Sequence, residues 1–324
     1  MIAFLFPGQG SQRVGMGRAL VDAFPEAREA FAEADAAFAA SAAAGGPESG
    51  HPRSLSALCF EGPEGELMLT EHTQPAILAM SVAASRVLAA RGLRPDLVAG
   101  HSLGEYSANV EAGTFAFADA IGVVRRRGRY MQEAVPVGQG AMAAILGLDL
   151  AGVQRACADA AQGEIVSPAN INGADQIVIA GAAGAVQRAS ERAKALGARR
   201  ALPLPVSAPF HCALMKPAEA RLEPELRGLA VRDPRVPIVA NVDAQPKQSG
   251  HAAIEALVRQ VSSPVRWQES VQRLASAGVT TYVEVGPGRV LGGLVKKIHR
   301  EATVLSFGDP EDLEEVLARC ERPC

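Results

Sequence analysis

Gly100-His101-Ser102-Leu103-Gly104 follows the apolar run Leu97-Val98-Ala99 and precedes Glu105-Tyr106-Ser107-Ala108. This is a Gly-x-Ser-x-Gly pattern set between a strand signal and a helix signal, the context in which a serine is pushed out of a sheet as a nucleophile. The two glycines let the chain turn sharply and let a substrate approach the backbone. A serine hydroxyl is a weak nucleophile on its own, so acyl chemistry at Ser102 requires a base and donors for an oxyanion. The bland alternative is a chance Gly-Ser turn in a chain with 32 glycines, and the flanking strand and helix weigh against it.

Six histidines supply the candidates for a base. His51 lies in a low-complexity stretch and His72 precedes a helix signal. His101 adjoins Ser102 on a turn, where neighbours point apart, and His251 and His299 stand in polar segments. His211 follows the extended, proline-punctuated stretch 203–210, at a seam between two parts of the chain where pockets form. A lone histidine in an apolar segment is as often a structural one, so the residues themselves leave both roles open for His211. For the oxyanion, the backbone N–H after the nucleophile, that of Leu103, is one donor. The loop Gly8-Gln9-Gly10, which ends the first strand signal, can supply another. That loop lacks the phosphate-cradling Gly-x-x-x-x-Gly-Lys-Ser/Thr pattern, and it only loosely evokes a dinucleotide fingerprint.

Arg125-Arg126-Arg127-Gly128-Arg129 is the densest cationic run. Most of it reads as solvated charge at a helix end. One guanidinium turned inward would be a bidentate receptor for a carboxylate, and the run does not say which.

Positioning these groups requires a sheet. Residues 2–6 form a short continuous apolar run of the kind found in a buried parallel strand, and 97–100 is the strand that carries Ser102. Helices are expected over about 17–40, from Pro75 to about 91, and over about 117–132. Between 141 and 205 the rhythm becomes strand 141–148, helix 151–161, strands 165–171 and 176–180, helix 185–196 and strand 200–204. That βαββαβ order is the split-βαβ, ferredoxin-like pattern. Strands at 236–241 and 281–285 with a helix at 265–277 complete an α/β class assignment: a large, α/β-hydrolase-like domain with a mainly parallel sheet, at 1–137 and 206–324, and a small ferredoxin-like subdomain inserted at 138–205.

The remaining bounds are exclusions. At 324 residues the chain can bury a full core, and no stretch approaches the length of a membrane span. Its start enters an apolar strand with no basic region or cleavage site, so a cytoplasmic protein is expected. Five cysteines form neither a paired framework nor a metal spacing, and no metal site is expected. A net charge of −3 and 4% aromatic residues argue against nucleic acid as a partner.

Six segments then occur in order: Phe6-Pro7-Gly8-Gln9-Gly10-Ser11-Gln12, Thr73-Gln74-Pro75-Ala76, Gly100-His101-Ser102-Leu103-Gly104-Glu105-Tyr106-Ser107, Arg127-Gly128 with Met131-Gln132, Phe210-His211, and Glu284-Val285-Gly286-Pro287-Gly288. With them the chain, over nearly its whole length, resembles the malonyl-CoA:acyl carrier protein transacylases, the stand-alone acyltransferases of fatty-acid synthesis. The resemblance implies Ser102 as nucleophile, His211 as base, and Gln9 and Leu103 as sources of the oxyanion N–H groups. It picks Arg127 as the malonyl carboxylate receptor and the Gln260 main-chain carbonyl, in place of an aspartate, as the group that orients the histidine. Asn170 and Asn172 match positions lining the cleft. Phe210 stands where related polyketide-synthase domains often carry phenylalanine when they select malonyl. Residues 43–55 are longer than the corresponding loop of bacterial relatives.

The resemblance further implies ping-pong transfer of malonyl from malonyl-CoA, through a malonyl-serine ester, to the phosphopantetheine thiol of acyl carrier protein, in fatty-acid or polyketide synthesis. No bound cofactor and a monomer are expected. A serine hydrolase of the α/β-hydrolase type shares the elbow but places its histidine late in the chain, whereas His211 is followed by a third of the sequence. A non-catalytic scaffold is disfavoured by the joint presence of Ser102, His211 and Arg127.

Overall fold

The computed structural model describes residues 1–43, 54–206 and 208–320. The long loop expected over 43–55 falls almost wholly outside the described residues, as do His51 and Cys324. Ten strands are described: β1 (Ile2–Phe6), β2 (Leu97–Gly100), β3 (Gly140–Leu146), β4 (Val166–Gly173), β5 (Gln176–Ala182), β6 (Arg200–Pro203), β7 (Ile238–Val239), β8 (Pro246–Lys247), β9 (Thr281–Val285) and β10 (Thr303–Phe307).

The larger sheet runs β10-β9-β1-β2-β7-β8 and is parallel except for the short β7–β8 pair. Every residue of β1 is buried, and the alternation of a strand sends Phe4 and Phe6 into one apolar layer and Ala3 and Leu5 into the other. Apolar side chains on both faces are what a parallel sheet covered by helices needs. The smaller sheet is antiparallel, in the order β4-β5-β3-β6, with helices Leu150–Ala161 and Ala183–Ala195 packed on it. That is the ferredoxin-like arrangement. Its edge strand β4 is tied to the rest of the chain by Ile171 N–H to Val265 O (2.8 Å) and Val265 N–H to Ala169 O (2.8 Å).

Four local expectations need correction. Pro75 does not open its helix, which runs Thr70–Ala90 with the proline inside. A proline so near the start forfeits one backbone bond, and burial of the preceding turn, with Thr73 Oγ1 bonded to Leu67 O (2.5 Å), holds the extra residues helical. The strand expected at 236–241 shrinks to Ile238–Val239, and β8 and β10 were not expected. The arginine run lies within the helix Phe117–Glu133, with no solvated terminus to occupy. Arg125 bonds Phe38 O (3.0 Å) and Arg126 pairs with Glu225.

Candidate active site

The turn between β2 and the helix Gly104–Ala112 is closed by backbone contact. A Cβ on Gly104 would sit 1.9 Å from Phe6 O, and one on Gly100 would sit 1.9 Å from the Gly104 carbonyl carbon. Only glycine permits that approach, and it throws Ser102 into the left-handed region at φ 53°. Of the four non-glycine residues with positive φ among those described, Ser102 is one and His211, at φ 61°, is a second. Strain of this kind persists only where neighbours hold it. For Ser102 the holders are Asn241 Oδ1, which accepts its N–H at 2.7 Å, and Gln260 Nε2, which donates to its carbonyl at 2.9 Å.

Ser102 Oγ lies 2.6 Å from His211 Nε2, across 109 residues of sequence. His211 Nδ1 lies 3.0 Å from the Gln260 carbonyl. A carbonyl can only accept, so Nδ1 carries the proton and Nε2 is left to take one from Ser102. Burial, and next the Arg127 charge, lower the His211 pKa to about 3. That is well below the ordinary histidine value of about 6.5, and the imidazole is neutral in the substrate-free protein.

Arg127 is 2% exposed. Its guanidinium donates to Gln74 Oε1 (2.7 Å), Gln260 Oε1 (3.0 Å) and Ser102 Oγ (3.2 Å), and its Nε–H has no acceptor. Among the described residues no carboxylate stands within ion-pair distance of it. A buried cation satisfied only by neutral oxygens is a receptor for an incoming anion.

These groups open on a cavity of about 330 Å³ that includes Gln9, Asn170 and Phe210, with Met131, Met142 and Val206 as apolar wall. Asn170 Oδ1 is buried there without a partner. Neither the Gln9 nor the Leu103 N–H donates to a protein acceptor among the described residues, and the buried Leu103 side chain leaves only its backbone for the site. Asn172 departs from expectation. It is not a lining residue, and its Oδ1 instead holds His101 Nε2 at 2.8 Å. A second cavity of about 540 Å³, by Ser85, Arg86 and Glu111, contains none of these groups.

Residues 3–320 match the family described as the acyl transferase domain. The chain belongs to that family. It is 49% identical over 316 residues to the malonyl CoA-acyl carrier protein transacylase of Escherichia coli K12, covering 97% of this chain and 98% of that one. The enzyme of the same name from Bacillus subtilis is 46% identical over 97% of this chain and 95% of its own. An acyl carrier protein S-malonyltransferase from Vibrio cholerae superposes with a TM-score of 0.92 at 46% identity, over 97% and 99% of the two chains. A malonyl-transacylase solved in complex with its holo type II polyketide synthase acyl carrier protein gives 0.92 at 48%, over 98% and 99%.

Three further residues of this acyltransferase were not singled out for a role from sequence. Gln74 and Asn241 are the partners of Arg127 and Ser102 just described. Glu105, 1% exposed, accepts from the Asn241 N–H (2.9 Å) and from Gln260 Nε2 (2.8 Å). Asn241 was findable, since it ends an expected strand of an α/β sheet, where such sheets place their ligands.

Proposed function

We propose that this acyltransferase carries malonyl from malonyl-CoA to the phosphopantetheine thiol of acyl carrier protein, for fatty-acid or polyketide synthesis, through an ester on Ser102. The observation that carries the reading is the Ser102–His211 pair, with a buried and carboxylate-free Arg127 guanidinium 3.2 Å from the serine oxygen. His211 Nε2 takes the Ser102 proton as Oγ attacks the thioester carbonyl, and the Gln9 and Leu103 N–H groups receive the oxyanion. Collapse expels the CoA sulfur, which leaves with the proton from His211. The phosphopantetheine thiol then gives its proton to His211 and attacks the ester, and Ser102 Oγ recovers the proton as it leaves. The Gln260 carbonyl keeps the imidazole in register, and Asn170 and Phe210 shape the acyl pocket, with Asn172 acting behind His101. Protons and electrons balance without a metal or a redox group, so no bound cofactor is invoked. Residues 138–205 serve as an inserted unit against 1–137 and 206–324, and the protein works in the cytoplasm as a monomer. No helix among the described residues is long and apolar enough to cross a membrane.

Intact-mass and peptide spectrometry after exposure to malonyl-CoA tests the reading. One malonyl group is expected on Ser102, and holo acyl carrier protein should remove it. Release as free malonate without an acceptor thiol would identify a hydrolase instead.

Acyl choice is tested at Arg127. Arg127→Ala is expected to lower kcat/KM for malonyl-CoA by about 10- to 100-fold, the worth of hydrogen bonds to a charged group. Acetyl transfer should hold or rise, because an unpaired buried cation no longer opposes it. Arg125→Ala and Arg129→Ala should leave the malonyl-to-acetyl ratio within about threefold, their side chains being half-buried and turned away from the cavity. A ratio that collapses in a neighbour and survives in Arg127→Ala would place the carboxylate elsewhere.

A further inference from the structure

The side chain of Gln260 is a second device, separate from the carbonyl that holds His211. Its NH2 group donates to Ser102 O (2.9 Å) and Glu105 Oε2 (2.8 Å), with Asn241 Oδ1 a longer third acceptor at 3.4 Å, so its oxygen is left facing Arg127 (3.0 Å). The surroundings are fixed. Gln260 is fully buried, Glu105 sits in the first turn of the nucleophile helix, and its Oε2 also accepts the Asn241 N–H at 2.9 Å. We propose that Glu105 is a positioning residue for acyl selection, which through the Gln260 amide holds the Arg127 guanidinium where an acyl carboxylate can reach it.

The chemistry fixes the direction of the relay. A carboxyl oxygen at Glu105 Oε2 accepts from Gln260 whether or not the group is ionised, so the amide cannot reverse without presenting its own oxygen to an acceptor and its NH2 group to a guanidinium. Burial pushes the Glu105 carboxyl up to about 7, while the Asn241 N–H, the Gln260 amide and the Arg127 charge pull it back and Asp243 opposes them. The acceptor geometry survives on either side of that titration. Deleting the acceptor leaves that hydrogen of the Gln260 amide only the long contact to Asn241 Oδ1 (3.4 Å), already taken by the Ser102 N–H, and the amide then turns to improve it at the expense of Arg127. Malonyl transfer suffers more than acetyl transfer because only malonyl uses the guanidinium.

This inference rests on the reading of Arg127 as carboxylate receptor, and the experiment separates the two. Malonyl-to-acetyl kcat/KM ratios are measured for Glu105→Leu, Glu105→Gln, Gln260→Ala and the double variant Glu105→Leu/Gln260→Ala. Concentrations are normalised to the fraction of sites labelled by a serine-directed phosphonate. Glu105→Leu and Gln260→Ala should each lower the ratio by about tenfold, the effect of one lost hydrogen bond at a charged site. Glu105→Gln, whose amide oxygen can still accept, should stay within about threefold of wild type. In the Gln260→Ala background, Glu105→Leu should move the ratio by no more than about twofold, as expected when one residue acts through the other.

Equal falls for both thioesters, or additive effects in the double variant, overturn the relay. A collapse of the ratio in Glu105→Gln equal to that in Glu105→Leu would also overturn it, assigning the effect to charge. Should Glu105→Leu not accumulate as folded protein, Gln260→Ala decides alone, since an unchanged ratio there removes the link. If wild type itself fails to label at Ser102 with malonyl-CoA, the proposed function falls. A labelled wild type with unshifted ratios in the variants sinks the relay only.

Discussion

Ser102→Ala is expected to take up no malonyl group from malonyl-CoA and to lose malonyl transfer to acyl carrier protein by about 10⁴-fold or more. The size follows from how nucleophile and base act as a unit, so that losing the attacking atom costs nearly as much as losing the whole set. Without Oγ there is no ester, and the remaining route is direct attack by the carrier thiol on a bound thioester, helped only by the oxyanion N–H groups. The substitution should be structurally quiet. What holds residue 102 at its left-handed φ is a pair of backbone bonds, the N–H to Asn241 Oδ1 and the carbonyl from Gln260 Nε2, and alanine keeps both. The loss is read by peptide mass spectrometry and by transfer rate at matched folded concentration. Labelling of the alanine variant at the wild-type level would move the nucleophile elsewhere.

The elbow was legible because its chemistry is local. Strand, Gly100, Ser102, Gly104 and helix are neighbours in sequence, and the steric reason for each glycine acts over a few residues. The two βαββαβ helices and four strands were legible for the same reason, each carrying its own periodicity. His211 was not decided by its own surroundings. What makes it a base is a serine 109 residues away and a carbonyl at Gln260, and the family resemblance supplied both. Arg127 was left open among four arginines because consecutive positions on a helix differ in direction by a wide angle, and only tertiary packing says which direction is inward. It sends Arg125 to the Phe38 carbonyl, Arg126 to Glu225 and Arg127 to the cavity. Asn241, Gln74 and Glu105 went unassigned because their roles consist of contacts between elements. Strands β7 and β8 are two residues each, too short for alternation to register.

His211→Ala is expected to slow acylation of Ser102 by about 10²–10⁴-fold, the range for a lost general base. The pH dependence is the sharper readout. A base must be neutral to accept the Ser102 proton, so activity falls as pH drops through its pKa. Burial, and then the Arg127 charge, bring His211 down to about 3. The acid limb of kcat/KM, which reports the free enzyme, should therefore lie well below the ordinary histidine value of about 6.5. A malonyl carboxylate on Arg127 neutralises the second of those causes, so the limb of kcat, which reports the bound state, should lie above that of kcat/KM. Arg127→Ala should raise the kcat/KM limb in the same direction, measured with an acetyl thioester to keep the substrate free of a titrating carboxylate. In His211→Ala this limb should vanish. An acid limb retained unchanged in His211→Ala, or a loss smaller than tenfold, would assign the base to another group.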